Sequence, residues 1–462
     1  MTAQPGNPTP SREFARRVCR EVRVRTGYAR ELFDSMSAGS TLEPAELAFA
    51  RVLVMSVVAC RGTLDELIDG VLSKPTDIEA DVRDCLRISA YEIFFLGKSP
   101  HAAVSQGVEL AAKTRPRARG VANFCLRRLA EKRDAFPFGN PLTDIDALAR
   151  LEGFPYWIAR DLAEQWGMDA AHAFMAASNE RPPVFFTVNA CKAAEDAVLA
   201  DLDAAGIAHM PGFVQDDTFG PLPVAWCHKL EEPSQVTHPL FRLLAAEGSI
   251  IISDAAAQAV AQFALPDVPP QYMLEVGAGR GTKTLLLQSA AIRRYGHQVP
   301  LTSIDYLDFK AKLLEDRLRQ AGITETRVMT ADGTNLDAAF PGESFEAIFI
   351  DAPCSGLGTL RRHPEIRWRL KPQDIPALAQ VGLRMLESAA NHLSPGGQLT
   401  YATCTVTPEE NQNLVETFLT NAAQQGCSLA PASTDDRSRF TTRLADGRGD
   451  AHFAVRLLRD SL

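Results

Sequence analysis

Residues 272–284 read YMLEVGAGRGTKT. The apolar run over 272–276 favours a β-strand, and a helical pattern begins at Lys283. Between them lie three glycines, and glycine lets the backbone turn tightly and approach a ligand closely. The N-terminus of the following helix presents free N–H groups, which suit a nucleotide-like ligand. This stretch therefore predicts a strand, a glycine turn and a helix, the opening unit of an α/β sheet.

Downstream of this turn, apolar strands alternate with amphipathic helices. Strands are predicted over 301–305, 326–330, 347–351 and 398–403, and helices over 308–321, 375–392 and 409–422. Such an alternation specifies a doubly wound sheet with helices on both faces. Because ligands of these sheets bind at the carboxyl ends of the strands, we expect the functional residues at that edge.

The glycine turn and two acids at later strand ends predict a site for an adenosine-containing ligand. The turn residues are Gly277, Ala278, Gly279, Arg280, Gly281, Thr282 and Lys283. Asp305 closes the second strand and can accept hydrogen bonds from ribose hydroxyls, whereas Asp332 follows the third strand and can hold an adenine amino group. The alternatives are a purely structural turn, and acids that only cap helices or turns.

Two of the nine cysteines lie at the ends of predicted strands. Cys354 follows the strand 347–351, and Cys404 follows the strand 398–403. Adjacent parallel strands end at the same edge of a sheet, so we expect the two thiols to lie near each other and near the glycine turn. We interpret the remaining cysteines as small buried hydrophobic residues. They are Cys19, Cys60, Cys85, Cys125, Cys191, Cys227 and Cys427.

The rest of the chain divides by pattern. Residues 12–138 show helical periodicity and predict an all-helical bundle, preceded by a flexible tail over 1–11. Proline and glycine residues over 137–141 place a domain boundary near 138. A small α+β connecting subdomain is expected over 139–245, and the α/β domain over 246–462.

Charge is unevenly distributed along the chain, whose net charge is −9. Residues 1–140 contain 21 Lys and Arg against 17 Asp and Glu. The basic excess concentrates over 12–30 and 113–133. A surface for a polyanion and an ordinary solvated helix face are both compatible with this pattern.

The bulk composition, 46% hydrophobic and 23% charged, is that of a globular protein. No apolar stretch reaches the roughly 18 residues of a membrane span, and the N-terminus lacks the pattern of a secretory signal. The cysteines form no CxxC pair, so we expect neither a disulfide framework nor a metal site. A cytoplasmic protein with reduced thiols, no membrane association and no obligate protein partner is the resulting expectation.

Long strings over 351–356, 361–368, 401–404 and 408–411 resemble the RsmB, NOP and Sun group of RNA 5-methylcytosine methyltransferases. The resemblance covers the whole chain. Residues 12–135 resemble the NusB-like RNA-binding domain of the bacterial RsmB branch, and Arg181-Pro182-Pro183 with Asn189 resembles its connecting subdomain. The α/β domain is then expected to be a Rossmann-like class I methyltransferase.

The resemblance implies transfer of a methyl group from S-adenosylmethionine to carbon 5 of a cytosine in RNA, with ribosomal RNA as the expected substrate. Cys404 matches the nucleophile of the family, which adds to carbon 6 and makes carbon 5 reactive. Asp351 is expected to hydrogen-bond ring nitrogen 3 and to border the cofactor. Cys354 is expected to help remove the proton and release the product.

Three arginines and one departure from the family pattern complete this interpretation. Arg361, Arg362 and Arg367 are expected at the mouth of the site, where they would contact RNA phosphates; the alternative is that they pack on Trp368. In the cofactor turn, Arg280 stands where the family usually has proline. We expect cofactor binding to survive this change.

Two other functions are compatible with parts of the sequence. A catalytically decayed RNA-binding or ribosome-assembly factor would explain the altered turn, but not the retention of both thiols and of the acids. A nucleotide-dependent oxidoreductase would need the GxGxxG spacing, which the turn lacks, and it leaves both cysteine motifs unexplained.

Overall fold

The computed structural model describes residues 7–432 and 438–461. These residues form two compact units. One contains the chain up to Glu180 together with Leu360–Leu370, and the other contains Arg181–Thr359 and the chain from Lys371 onward.

The helices, in chain order, are α1 (Pro10–Arg25), α2 (Ala29–Ser37), α3 (Pro44–Ala59), α4 (Arg61–Asp69), α5 (Ala80–Phe94), α6 (Pro100–Thr114), α7 (Arg119–Glu131), α8 (Ile145–Glu152), α9 (Tyr156–Trp166), α10 (Met168–Ala177), α11 (Glu195–Ala204), α12 (Pro239–Glu247), α13 (Ala255–Ala264), α14 (Thr282–Tyr295), α15 (Asp308–Gln320), α16 (Ile366–Arg369), α17 (Asp374–Asn391) and α18 (Gln412–Gln424). The strands are β1 (Phe185–Val188), β2 (His209–Asp216), β3 (Gly220–Leu230), β4 (Ile250–Ile252), β5 (Met273–Val276), β6 (Leu301–Asp305), β7 (Thr326–Thr330), β8 (Phe345–Asp351), β9 (Leu393–Thr403), β10 (Leu429–Pro431), β11 (Arg439–Arg443) and β12 (Phe453–Arg459).

The first unit is helical throughout its described residues, as the periodicity predicts. Apolar residues recur at helical spacing on α1, and Phe14 packs edge-on against Phe33 at 5.5 Å between ring centroids. Helix α1 begins at Pro10, a residue well suited to the first turn of a helix. The expected flexible tail over 1–11 is therefore too long, and its residues 1–6 lie outside the described part of the chain.

Much of the basic excess of the first unit is paired within that unit. Arg12 bonds Glu92, and Arg23 bonds both Asp81 and Asp84. Ion pairs also involve Arg25, Lys113, Arg115, Arg119 and Arg128. This pairing favours the solvated-face interpretation for these side chains.

Helices α8–α10 pack with the first unit, whose N-terminal part ends at Glu180, and the domain boundary expected near 138 stays a prediction. The Glu66 carboxylate accepts hydrogen bonds from Arg150 Nε at 3.0 Å and from the Tyr156 hydroxyl at 2.6 Å. The proline and glycine residues over 137–141 thus mark a turn within one compact unit.

The segment Leu360–Leu370 is fastened to the N-terminal helices although it lies far along the chain. Trp368 Nε1 donates to the Ala59 carbonyl at 2.6 Å, and its ring covers Gly62, where a Cβ atom would overlap the indole. Glu365 Oε1 accepts a hydrogen bond from the backbone N–H of Ala29 at 3.2 Å. Close packing against glycine and hydrogen bonds to backbone groups hold this segment in place.

Arg367 lies at the centre of this segment and is fully buried. Its guanidinium lies 3.9 Å from the centroid of the Phe154 ring and donates to the Gly153 carbonyl and to Asn179 Oδ1. Burial lowers the pKa of Arg367 to about 10. The expected phosphate contact is therefore wrong for Arg367, because no solvent reaches the group, and its aromatic partner is Phe154 and not Trp368.

The other two arginines of this segment differ in exposure, and the phosphate contact expected of Arg362 stays a prediction. Arg361 is only 3% exposed, so an open phosphate contact is excluded for it in this conformation, whereas Arg362 is half-buried. All three belong to the first unit.

The second unit is built on a continuous mixed sheet. Its strand order is β4-β1-β3-β2-β11-β12-β9-β8-β5-β6-β7, and β10 pairs with β12. Strands β7, β6, β5, β8 and β9 run parallel, and the pairs among the other strands are antiparallel. The parallel strands occupy the positions predicted from the sequence, and they are covered by helices as a doubly wound sheet requires.

Among the described residues, no single helix is long and apolar enough to cross a membrane. The bent pair α3 and α4, which meet at 74°, meets the length and composition requirement only when the two helices are taken together.

We predict that Arg367→Ala destabilises the first unit by about 3 kcal/mol, because it removes a buried stacked guanidinium and leaves a cavity against Phe154. Arg369→Ala, at an exposed position of the same helix, is the matched control and should cost less than about 1 kcal/mol. Urea unfolding followed by tryptophan fluorescence measures both. Equal effects of the two substitutions would contradict the structural role assigned to Arg367.

Candidate active site

The parallel pairing of β5, β8 and β9 brings the predicted reactive residues to one edge of the sheet. In the β8–β9 register Asp351 pairs with Ala402, so Cys354 and Cys404 both follow the same end of neighbouring strands. Gly277, at the end of β5, packs against the backbone of Asp351 so closely that a Cβ atom would overlap the carbonyl oxygen. Its φ of 85° also favours glycine.

The two thiols are in direct contact. Cys354 Sγ lies 3.3 Å from Cys404 Sγ, and the backbone N–H of Cys404 donates to Cys354 Sγ, also at 3.3 Å. This is the juxtaposition expected from the two strand ends.

The thiol pair is electrostatically asymmetric. The hydrogen bond from Cys354 and the positive charge of Lys283 lower the pKa of Cys404 below its ordinary value of 9.0, against the effect of burial. The same hydrogen bond, together with burial, raises the pKa of Cys354 well above 9.0. Of the two thiols, Cys404 is therefore the one whose surroundings favour the thiolate, and Cys354 is the one whose surroundings favour the protonated, donating form.

The remaining cysteines behave differently. Burial is the largest cause of a raised pKa at each of six other thiols, as expected when a charged form loses water. These are Cys19, Cys60, Cys85, Cys125, Cys191 and Cys227. Of the cysteines whose pKa departs from the ordinary value, Cys404 alone is shifted towards the reactive form.

Lys283 was expected in the cofactor turn, but its side chain is directed to the reactive centre. Lys283 Nζ lies 2.8 Å from Asp351 Oδ2. Although burial opposes it, the negative charges of Asp351 and Cys404 raise the pKa of Lys283, so the ammonium stays charged beside the thiolate. The local sequence pattern does not reveal this contact because the two partners are 68 residues apart.

The glycine turn has the backbone form that the sequence predicts. Gly279 and Gly281 have φ values of 60° and 83°, and a Cβ atom on Gly281 would overlap Leu314. Ala278 is buried, Arg280 is exposed, and helix α14 begins at Thr282. These features suit a turn that lets a ligand approach its backbone.

The two acids assigned to adenosine differ in their surroundings. Asp305 is 8% exposed, and its Oδ2 accepts a hydrogen bond from the N–H of Gly279 at 3.0 Å, which ties the end of β6 to the glycine turn. Asp332 is exposed, and its Oδ1 accepts from the N–H and hydroxyl of Thr334. Oδ1 of Asp332 thus closes a turn, and the adenine contact expected for this residue stays a prediction.

Glu275 lies beneath the glycine turn and is fully buried. Its Oε2 accepts hydrogen bonds from the hydroxyls of Thr284 and Ser303, both at 2.6 Å. Burial nevertheless raises the pKa of Glu275 to about 7.

His452 is a residue of the site that sequence reasoning missed. It directly precedes Phe453, the residue of β12 that pairs with Thr403 of β9, and it is 4% exposed. Burial and the positive charge of Lys283 lower the pKa of His452 to about 4, so the imidazole is neutral. Between the two strands, Gly358 donates its N–H to the Cys404 carbonyl and accepts from Ala451. A single histidine at a strand start gives no signal in the sequence.

Family models match three successive parts of the chain. The NusB family matches residues 9–131, the ferredoxin-like domain of RsmF/B-like methyltransferases matches 154–218, and the family described as 16S rRNA methyltransferase RsmB/F matches 262–447. The expected NusB-like bundle, α+β connecting subdomain and Rossmann-like methyltransferase domain are thereby confirmed.

Similar proteins match over almost the whole chain. The ribosomal RNA small subunit methyltransferase B of Salmonella enteritidis PT4 is 30% identical over 415 residues, with 89% of this chain and 90% of that protein covered. The protein of the same name from Escherichia coli O6:K15:H31 is 29% identical over 419 residues, with the same coverage.

Two solved structures share the fold. The crystal structure of PH0851 has a TM-score of 0.73 at 20% identity and covers 99% of both chains. That of NSun6 from Pyrococcus horikoshii with SFG has a TM-score of 0.52 at 16% identity, and it covers 67% of this chain and 99% of its own.

We predict that Glu275→Gln removes part of the pH dependence of the free energy of unfolding. A carboxyl whose pKa is raised on folding contributes stability at low pH and loses it as the pH rises through about 7. Relative to the wild type, Glu275→Gln should therefore gain about 2.5 kcal/mol between about pH 5 and about pH 8.5. Denaturant unfolding at the two pH values measures this gain. A difference independent of pH would contradict the assignment.

Proposed function

Because this chain belongs to the 16S rRNA methyltransferase RsmB/F family, we propose that it methylates carbon 5 of a cytosine in RNA through a covalent adduct with Cys404. The observation that carries the proposal is the thiol pair at 3.3 Å, in which the surroundings of Cys404 lower its pKa and favour the thiolate. Members of this family are S-adenosylmethionine-dependent RNA methyltransferases. The proposal concerns the position that is methylated and the covalent step.

Cytosine chemistry explains why a thiolate is needed. Carbon 5 is a weak nucleophile until a group adds to carbon 6 and converts the ring to an enamine. The Cys404 thiolate forms the bond to carbon 6, and the electron pair of the ring double bond moves towards carbon 5 and ring nitrogen 3. We assign Asp351, held by Lys283, to ring nitrogen 3, where its carboxyl group, once protonated, donates a hydrogen bond that stabilises the negative charge developing there.

The glycine turn and Asp305 fit a bound S-adenosylmethionine. The turn exposes backbone in conformations that favour glycine, and Asp305 fastens that backbone at Gly279. We assign Gly277–Lys283 and Asp305 to the cofactor, with Asp351 at its methionine end and Asp332 at the adenine. When bound, the cofactor supplies an electrophilic methyl group for carbon 5.

Cys354 is suited to the second half of the reaction. While Cys404 is a thiolate, the hydrogen bond between the sulfur atoms keeps Cys354 protonated. Once Cys404 has become a thioether, that cause of the raised pKa is gone, and Cys354 can release its proton to solvent and then accept the proton from carbon 5. Loss of that proton restores the ring double bond as the carbon–sulfur bond breaks, which regenerates the Cys404 thiolate.

The substrate we propose is small-subunit ribosomal RNA. Both relatives named above are ribosomal RNA small subunit methyltransferases, and this chain spans about nine-tenths of their length. The decayed assembly factor is the less favoured alternative, because Cys354, Cys404, Lys283 and Asp351 keep a reactive arrangement.

We predict that Cys404→Ala lowers methyl transfer more than about a thousandfold, since no other group forms the adduct. Cys354→Ala should instead accumulate a covalent protein–RNA adduct, because attack is intact and release is impaired. A tritiated-methyl assay on RNA and denaturing gels measure the two effects. Cys427→Ala, remote from the thiol pair, is the control and should retain activity. Full activity of Cys404→Ala would falsify the covalent mechanism, and an absent gel shift for Cys354→Ala would refute its role in release.

A further inference from the structure

Glu410 lies in the stretch Pro408-Glu409-Glu410-Asn411, which takes no part in the steps above. Its side chain is 1% exposed, and charged side chains are rarely buried unless hydrogen bonds satisfy them. Glu410 Oε1 accepts from the N–H of Ser355 at 2.6 Å. Glu410 Oε2 accepts from the hydroxyls of Ser355 at 2.6 Å and Thr407 at 2.5 Å.

These bonds reach both loops that carry the reactive thiols. Ser355 directly follows Cys354, and its hydroxyl lies 2.5 Å from the hydroxyl of Thr405, which directly follows Cys404. One buried carboxylate therefore connects the residue after one cysteine to the residue after the other.

The neighbouring residues brace the same connection. Asn411 accepts from the Thr403 hydroxyl at 2.6 Å and donates to the Thr405 carbonyl at 3.1 Å, so that it holds Cys404 from both sides. The Tyr401 hydroxyl donates to the Glu410 carbonyl at 2.9 Å, which fixes the Glu410 backbone to strand β9. The position of the Glu410 carboxylate is thus determined by the sheet itself.

We propose that Glu410 is a positioning residue that holds the Cys354 and Cys404 sulfur atoms in hydrogen-bond contact. The inference rests on the proposed function of the thiol pair and extends it to the residue that holds the two thiols in place. Glu410 touches neither sulfur in the bonds described, and acts through Ser355 and Thr405. Its negative charge is also one of the causes that raise the pKa of Cys354, which keeps the donor protonated.

Three variants separate positioning from charge. Glu410→Ala removes all three accepted bonds and frees the loops. Glu410→Gln keeps an acceptor for the Ser355 N–H, and its amide can donate to a hydroxyl that turns to accept, so the geometry survives without the charge. Glu409→Gln makes the same change at the adjacent exposed carboxylate and is the control.

The test is the pH profile of alkylation of Cys404 by iodoacetamide, read by peptide mass spectrometry on the full chain without RNA or cofactor. In Glu410→Ala the midpoint for Cys404 should rise by about one pH unit, which makes alkylation about tenfold slower at pH 7. In Glu410→Gln the midpoint for Cys404 should stay near that of the wild type, while that for Cys354 falls. Glu409→Gln should change neither.

An unchanged Cys404 midpoint in Glu410→Ala, with native circular dichroism, would overturn the proposal. Should Glu410→Ala not fold, Ser355→Ala serves instead, because it removes the hydroxyl that joins Glu410 to Thr405 and keeps the backbone N–H. An unchanged Cys404 midpoint there would equally refute the positioning role. The alkylation assay contains no RNA and so does not depend on the reaction. A shifted Cys404 midpoint in a protein that does not methylate carbon 5 would therefore contradict the proposed function but not the positioning role of Glu410.

Discussion

The contact between the sulfur atoms of Cys354 and Cys404 is the interaction on which the reactive site depends. A thiolate loses hydration when it is buried, and burial is the largest cause of the raised pKa of thiols elsewhere in the chain, about 12 at Cys60 and about 11 at Cys191. At Cys404 the contact with Cys354 at 3.3 Å and the charge of Lys283 reverse that effect. The same contact assigns the two sulfur atoms different roles.

The fold supplies this contact through the pairing of β8 with β9. Their parallel register places the two cysteine loops side by side. Because Gly277 and Gly358 have no side chain, their backbone can pack directly against the backbone of Asp351 and of Cys404, respectively. The antiparallel strand β12 closes the other side, and the positive charge of Lys283 helps to keep the imidazole of His452, which directly precedes β12, neutral. Rigid sheet edges thus hold reactive groups whose positions must be accurate to a few tenths of an ångström.

The sequence predicted those parts of the molecule that depend on local pattern. The alternation of strands and helices located β5–β9, and strand ends located Cys354 and Cys404, because period and end position are properties of a short stretch. It did not predict that Lys283 faces Asp351 or that Glu275 titrates near neutrality, since both depend on groups distant along the chain. Arg367 was misassigned because the helices that bury it lie some 200 residues earlier.

The state of Cys404 in the resting protein tests this account most directly. Ultraviolet absorbance of the thiolate, taken as the difference between the wild type and a chain lacking Cys404, gives the titration of that group. The account predicts a midpoint below the ordinary 9.0, which rises when Cys354 is replaced by alanine. A midpoint at or above 9.0, or one that is indifferent to Cys354, would contradict it.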